Sequence, residues 1–210
     1  PDRPAPPQSF AETLAAAAAF GPRFELAAAW SGSPEDRPED RIVASELTDV
    51  QLEHAVALRG AGLKTLDLKV AANMWFQWYC HRMAAPLLAT WVLHRRVPDV
   101  SAENIAFRFD AEGRPEDIAM IKMRASGLPG DTATDVELNP TADLLPEITR
   151  VLLDGHLLPL GERLKTRYRL GAPITMGTIA SQIGMALTTI DAQSGLTWEQ
   201  VRTDALSLLE

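Results

Sequence analysis

The stretch Trp75-Phe76-Gln77-Trp78-Tyr79-Cys80-His81-Arg82-Met83-Ala84-Ala85-Pro86-Leu87-Leu88 decides how the chain is to be read. It predicts a central helix beginning near Leu66. Lys69, Asn73, Gln77 and His81 recur every four residues and form a narrow polar stripe on an otherwise apolar, aromatic cylinder, the pattern of a helix buried on most sides. Pro86 removes a backbone donor and crowds the carbonyl four residues earlier, so a kink or a division is expected there, with both sides feeding one internal face. His94, Arg95 and Arg96 are expected to close the last turn, where cations offset the carbonyl end of the helix dipole.

Outward from this helix the punctuation is regular. Residues 1–8 carry four prolines and read as a mobile lead-in. Ser9 with Glu12 three residues on is a capping box for a helix to about Phe20, and residues 31–41 read as a charged surface loop. A second helix is predicted from Thr48 or Asp49 to near Gly60, with Gly62 beyond it. Residues 104–110 and 117–123 alternate apolar and polar side chains around Glu112-Gly113-Arg114-Pro115, the signature of an antiparallel hairpin. Residues 126–134 read as a loop. Pro140 or Thr141 should start a helical region broken by Pro146, Gly155 and Pro159, and two final helices are predicted over 174–190 and 197–209. The expected class is mainly α (α+β): a compact helical domain over residues 9–210 with one small antiparallel hairpin or sheet.

Composition narrows the function. With 210 residues and 46% hydrophobic content the chain is long enough to bury a sizeable core without staples. Its one cysteine, Cys80, excludes an intramolecular disulfide and any all-cysteine metal site within one copy, which fits a reducing cytoplasm. A net charge of −8 argues against a nucleic-acid partner, which requires a clustered positive surface. The uncharged stretch around Pro86, residues 83–93, has 11 residues, against roughly 20 for a bilayer span, so no membrane span is expected. The N-terminal alanine run lacks a basic leader and cleavage pattern, so no secretory signal is expected; the initial proline leaves room for an initiator or longer leader removed ahead of it.

Nucleotide-binding loops, a nucleophile elbow and a zincin motif are all absent. The four histidines are scattered, and His54 and His156 read as structural. Trp75, Trp78, Tyr79 and Arg82 share one helix face by their three- and four-residue spacing. Indole and phenol rings beside a guanidinium suit a bulky, partly apolar ligand, and the same spacing suits a packed core seam. Arg95 or Arg96 would contact an oxygen-rich ligand unless Asp99 and Glu103 pair with them. Cys80 reads as a small buried hydrophobe; a catalytic thiol would need exposure and a base such as His81 or His94. These leave Trp75, Trp78, Tyr79, Arg82, Arg95 and Arg96 as ligand-binding candidates. His81, His94 and Asp99 are the only acid–base candidates, and no metal ligand set is expected.

The opening run, Leu93-His94-Arg95-Arg96-Val97-Pro98-Asp99-Val100-Ser101-Ala102-Glu103-Asn104, the strand pair starting Ile105-Ala106-Phe107-Arg108-Phe109-Asp110-Ala111-Glu112-Gly113, and Leu157-Leu158-Pro159-Leu160 together resemble the FhuF-like ferric-siderophore reductases. The likeness runs from about residue 66 to about 187. It implies a cytoplasmic protein of iron transport that takes up a small-molecule partner, a ferric siderophore of hydroxamate type, and passes its iron one electron. Family members end in a cysteine-rich tail that holds a [2Fe-2S] cluster, and no such tail occurs here. Two expectations follow: the cysteines lie beyond Glu210, or the cluster has been lost and the pocket is used otherwise. The segment Gly171-Ala172-Pro173-Ile174-Thr175-Met176-Gly177-Thr178 also departs from the resemblance, because a tryptophan followed by Ser or Gly and Asn is common there. The resemblance therefore implies a reductase body that is not competent by itself. The alternatives are a cluster-less siderophore-handling accessory protein and a metal-independent enzyme acting on a natural-product metabolite in the same pocket.

Overall fold

The computed structural model describes residues 7–27, 41–196, Glu199 and Thr203. Most of the lead-in, the loop at 31–40 and most of the final predicted helix at 197–209 lie outside the described residues. Helix α1, Phe10–Ala18, starts on the expected capping box, with Ser9 Oγ accepting from Glu12 N. A second box caps α2, Asp49–Gly62, where Thr48 Oγ1 accepts from Gln51 N and Gln51 answers to Thr48 N. Each box satisfies two donors that a helix start otherwise leaves open.

Helix α3, Leu68–His94, is the axis of the molecule. Asp67 caps it by accepting from Lys69 N and Val70 N. The division expected at Pro86 does not occur, for the helix runs through it without interruption. The missing donor and ring contact cost about 3 kcal/mol. Every residue from Tyr79 to His94 is buried, and burying each large apolar side chain returns about 1.5–3 kcal/mol, so packing outweighs the local penalty. The polar stripe faces α6, Ala172–Ser194: Asn73 Oδ1 accepts from Thr178 Oγ1 at 3.0 Å, and His81 interacts with Gln182.

The chain leaves α3 sooner than expected. Arg95 takes the left-handed conformation that ends the helix, and Arg96 opens strand β2, Arg96–Pro98. The predicted hairpin is present as β3, Ile105–Phe109, and β4, Pro115–Met120, with β1, Ile42–Val43, on the other edge of β3. Its turn packs on two helices. Trp75 Nε1 donates to Gly113 O at 2.7 Å, and a Cβ at Gly113 would stand 2.3 Å from Ala55 O. With φ at +74° as well, only glycine fits there.

A second sheet went unread in the sequence. Strand β5, Arg124–Gly127, pairs antiparallel with β2 and parallel with β6, Glu137–Pro140. Ser126 and Gly127 therefore belong to a strand rather than to the expected loop, and Pro140 ends a strand instead of starting a helix. Strands of three or four residues are too short for alternation to show.

The following region is also more continuous than expected. Helix α4, Leu145–Ile148, passes into a π-helical segment, Thr149–Leu157, and then into α5, Leu158–Tyr168. Pro146 sits in the first turn of α4, where a missing donor costs little. Pro159 has no N–H to offer Gly155 O, and that carbonyl instead accepts from Ala102 N at 3.0 Å. The wider winding has a steric condition as well, since a Cβ at Gly155 would meet Arg150 O at 2.8 Å. One contiguous core joins helices α1 to α6 to residues of both sheets. Among the described residues no helix is long and apolar enough to cross a membrane.

Candidate functional site

The four residues expected on one face of α3 divide into two pairs. Trp75 and Tyr79 point to the hairpin and are fully buried against Phe107 and Phe109. Tyr79 Oη lies 2.6 Å from His156 Nε2, while His156 Nδ1 faces Val100 O. A carbonyl only accepts, so the proton is on Nδ1 and Nε2 accepts from the tyrosine. Burial holds His156 neutral, with its pKa pushed down to about 4, and pushes the Tyr79 phenol well up. This network is interior structure. Trp78 and Arg82 point elsewhere: the half-buried Trp78 lies between the Arg23 and Arg114 guanidiniums, and Arg82 donates to Pro22 O.

The basic residues also separate. Arg96 is 1% exposed and donates twice to Asp131, at 2.7 and 2.8 Å, and once to Thr13 Oγ1 at 2.6 Å. Its bidentate bond holds the Asp131 carboxyl below the usual range. Arg96 therefore ties α1 to the loop after β5, and its donors have no room for a ligand. Arg95 lies over Trp91 at the edge of a small depression of about 210 Å³. His81 packs edge-on against Phe24, its pKa pushed down to about 4 by burial and by Arg23. His94 is buried, and its ring nitrogens have no hydrogen-bond partner among the described residues; burial and then Arg96 lower its pKa. Cys80 is fully buried, which pushes its thiol up.

Asp99 alone of the acid–base candidates reaches an open cleft. This cleft, of about 560 Å³, is lined by the turn from Asp99 to Asn104, by Lys122 and Arg124 at the foot of β5, and by Arg150, Asp154 and Gly155 of the π segment. Its floor is rigid. The Asn104 side chain donates to Asp99 O and Lys122 O and accepts from Lys122 N, all within 3.0 Å, while Ser101 N donates to Asp99 Oδ1. The bond from Ala102 N to Gly155 O fixes the turn to the π segment. π-Helical geometry is uncommon and gathers at functional sites. Lys122, Arg150, Asp154 and Gly155 were not legible as site residues. The one sequence signal was the Gly155 and Pro159 pair, a carbonyl and a missing donor at helical spacing.

A larger cleft of about 950 Å³ lies between α2 and α5. Its arginines are committed to ion pairs, Arg163 with Asp49 at 2.7 Å and Arg167 with Glu53.

A family model described as ferric iron reductase FhuF-like transporter matches residues 73–203. The chain belongs to that family. The matched stretch contains every residue that lines the smaller cleft, and only the α5 side of the larger one. No curated protein matches the chain by sequence. Two solved structures of the aerobactin synthetase IucA from a hypervirulent pathotype of Klebsiella pneumoniae are similar in fold. The ATP-bound form has a TM-score of 0.59 at 17% identity, covering 73% of this chain and 30% of the synthetase. The other has a TM-score of 0.53 at 17% identity, covering 79% and 32%. The FhuF-like chain thus spans about a third of the synthetase's length.

The [2Fe-2S] cluster implied by the family resemblance does not fit the residues of this FhuF-like chain. Such clusters take cysteine thiolates, or cysteines with two histidines. Here the single cysteine is buried with its thiol pKa raised, and the described residues contain no group of three or more His, Cys, Asp or Glu placed to hold a metal.

Proposed function

We propose that this protein binds a ferric hydroxamate siderophore in the cleft between the Asp99–Asn104 turn and the π segment, as the binding body of a siderophore reductase system. The observation that carries this reading is that the family match encloses the whole lining of that cleft. Its mixed charge and rigid floor suit a polar chelate, since sites bind best when little must be ordered on association. The iron is cargo. Hard Fe(III) is held by hydroxamate oxygens, and one added electron gives Fe(II), for which those oxygens are poor ligands, so the metal leaves. Protein side chains do not carry that electron, and the donor is therefore a separate redox centre. What this chain's residues do is hold and orient the chelate.

The likeness in fold to an aerobactin synthetase favours a second reading, in which the cleft receives an iron-free hydroxamate as a natural-product metabolite. Calorimetric titration separates the two. A ferric trihydroxamate binding at least about tenfold tighter than its iron-free form supports the first reading, the reverse order supports the second, and no heat from either overturns both.

A further inference from the structure

Helix α6 buries one side against α3 and leaves the other side bare. A surface helix normally turns charged residues outward. Helix α6 does not: its only charged residue is Asp191, near its C-terminal end, in a chain of which 23% is charged. The outer side is apolar as well, for Met176 is 52% exposed, Met185 47% and Ile174 41%. Two glycines on that side sharpen the point. Gly177 and Gly184 lie inside the helix, where glycine is among the costliest residues, and a Cβ at either would meet nothing within 4 Å. Packing within the chain therefore does not require them, whereas the close approach of another backbone would.

The order of the exposed residues is symmetric. About a midpoint between Ala180 and Ser181, Gly177 mirrors Gly184 and Met176 mirrors Met185, and all six are exposed. With 3.6 residues per turn, the glycines fall on the centre line of the face and the methionines on its two flanks. We propose that α6 is the interface of a two-fold homodimer, packed antiparallel on α6 of a second copy with the axis between Ala180 and Ser181. A two-fold contact needs a patch complementary to itself. In this register each methionine comes level with a glycine of the other copy and fills the space that the glycine leaves. Charge selects the same face. Two copies carrying −8 each repel, and the contact that opposes them least is the uncharged one. Thr188 Oγ1 already donates to Gly184 O, so closing the seam strands no hydroxyl there. A helix of 23 residues is about 35 Å long, and one helix pair buries less than the roughly 1,600 Å² of a standard interface, so dissociation in the micromolar range is expected.

Sedimentation equilibrium of the full chain from about 1 µM to about 200 µM tests this, with monomer expected at the low end and dimer at the high end. Met176→Glu places a carboxylate in the seam twice and should weaken association at least about tenfold, with the melting temperature of the dilute monomer unchanged. Gly177→Ala/Gly184→Ala should raise that melting temperature through helix propensity and still weaken the dimer severalfold. The register has its own readout, because Cys80 is fully buried and does not compete. On mild oxidation Ser181→Cys should link to its counterpart across the axis, whereas Met176→Cys, more than about 10 Å from its own counterpart, should not. A chain that stays monomeric at the highest concentration overturns the proposal, whether its own residues 197–210 or another protein covers the face. A dimer indifferent to Met176→Glu, association unchanged in the glycine double variant, or ready linkage through Met176→Cys overturns it as well.

Discussion

The π segment Thr149–Leu157 has two sides, and polar groups behave differently on each. On the inner side His156 is buried, donates to Val100 O and accepts from Tyr79, and Val151, Leu152 and Leu157 of the same segment are buried with it. On the outer side Arg150 and Asp154 stand in water over a rigid floor. Residues two apart in the chain therefore have opposite roles. A polar group taken out of water must be fully partnered, and once partnered it has nothing left to offer a ligand. The aromatic and basic residues that looked most like a binding face belong largely to the first kind. The modest charges beside Asn104 belong to the second.

This contrast can be broken by substitution. Trp75→Ala should have the largest effect, a loss of about 3–5 kcal/mol of stability by denaturant melting, because it opens a cavity and leaves Gly113 O without its donor. A loss below about 1 kcal/mol would show that the inner face is not core.

Acidification should come next. The buried His156 ionises at about 4 when folded and near 6.5 when unfolded. Between those values the unfolded chain binds more protons, so stability present above pH 6.5 drains away as the pH falls towards 4, by about 3 kcal/mol from this residue alone. His81, also lowered to about 4, adds in the same direction and window. Thermal melts across that range check the sign; a melting temperature that held constant or rose on acidification would contradict a neutral inner histidine.

Asp154→Ala should do least to the fold, changing stability by no more than about 0.5 kcal/mol, since its side chain is exposed and forms no ion pair among the described residues. A cost near that of Trp75→Ala would erase the distinction between the two sides.

Much of the fold was legible because its signals are local. Ser9 with Glu12 announces a helix start through bonds made within four residues, and the Glu112-Gly113-Arg114-Pro115 turn announces the hairpin by its own backbone demands. The division expected at Pro86 fails for the same reason in reverse. Its local penalty is real, but the term that overrides it comes from the packing of α1, α2, α5 and α6 around α3. The single face assigned to Trp75, Trp78, Tyr79 and Arg82 came from helical spacing, and spacing alone could not tell that the hairpin covers Trp75 and Tyr79 while the segment at Pro22–Phe24 receives Arg82.

The sequence by itself determined the mainly helical class, the caps, the hairpin, the polar stripe on the central helix and the family, each encoded in neighbouring residues or in a long matched run. Only the tertiary structure decided the second sheet, the continuity of α4 through α5, the burial of Arg96 against Asp131, and the meeting of the Asp99–Asn104 turn with Arg150 and Asp154. These depend on groups 13 to 83 residues apart in the chain. Partners at that distance leave no periodicity for a single sequence to show, and which polar groups they satisfy is settled only when the core closes.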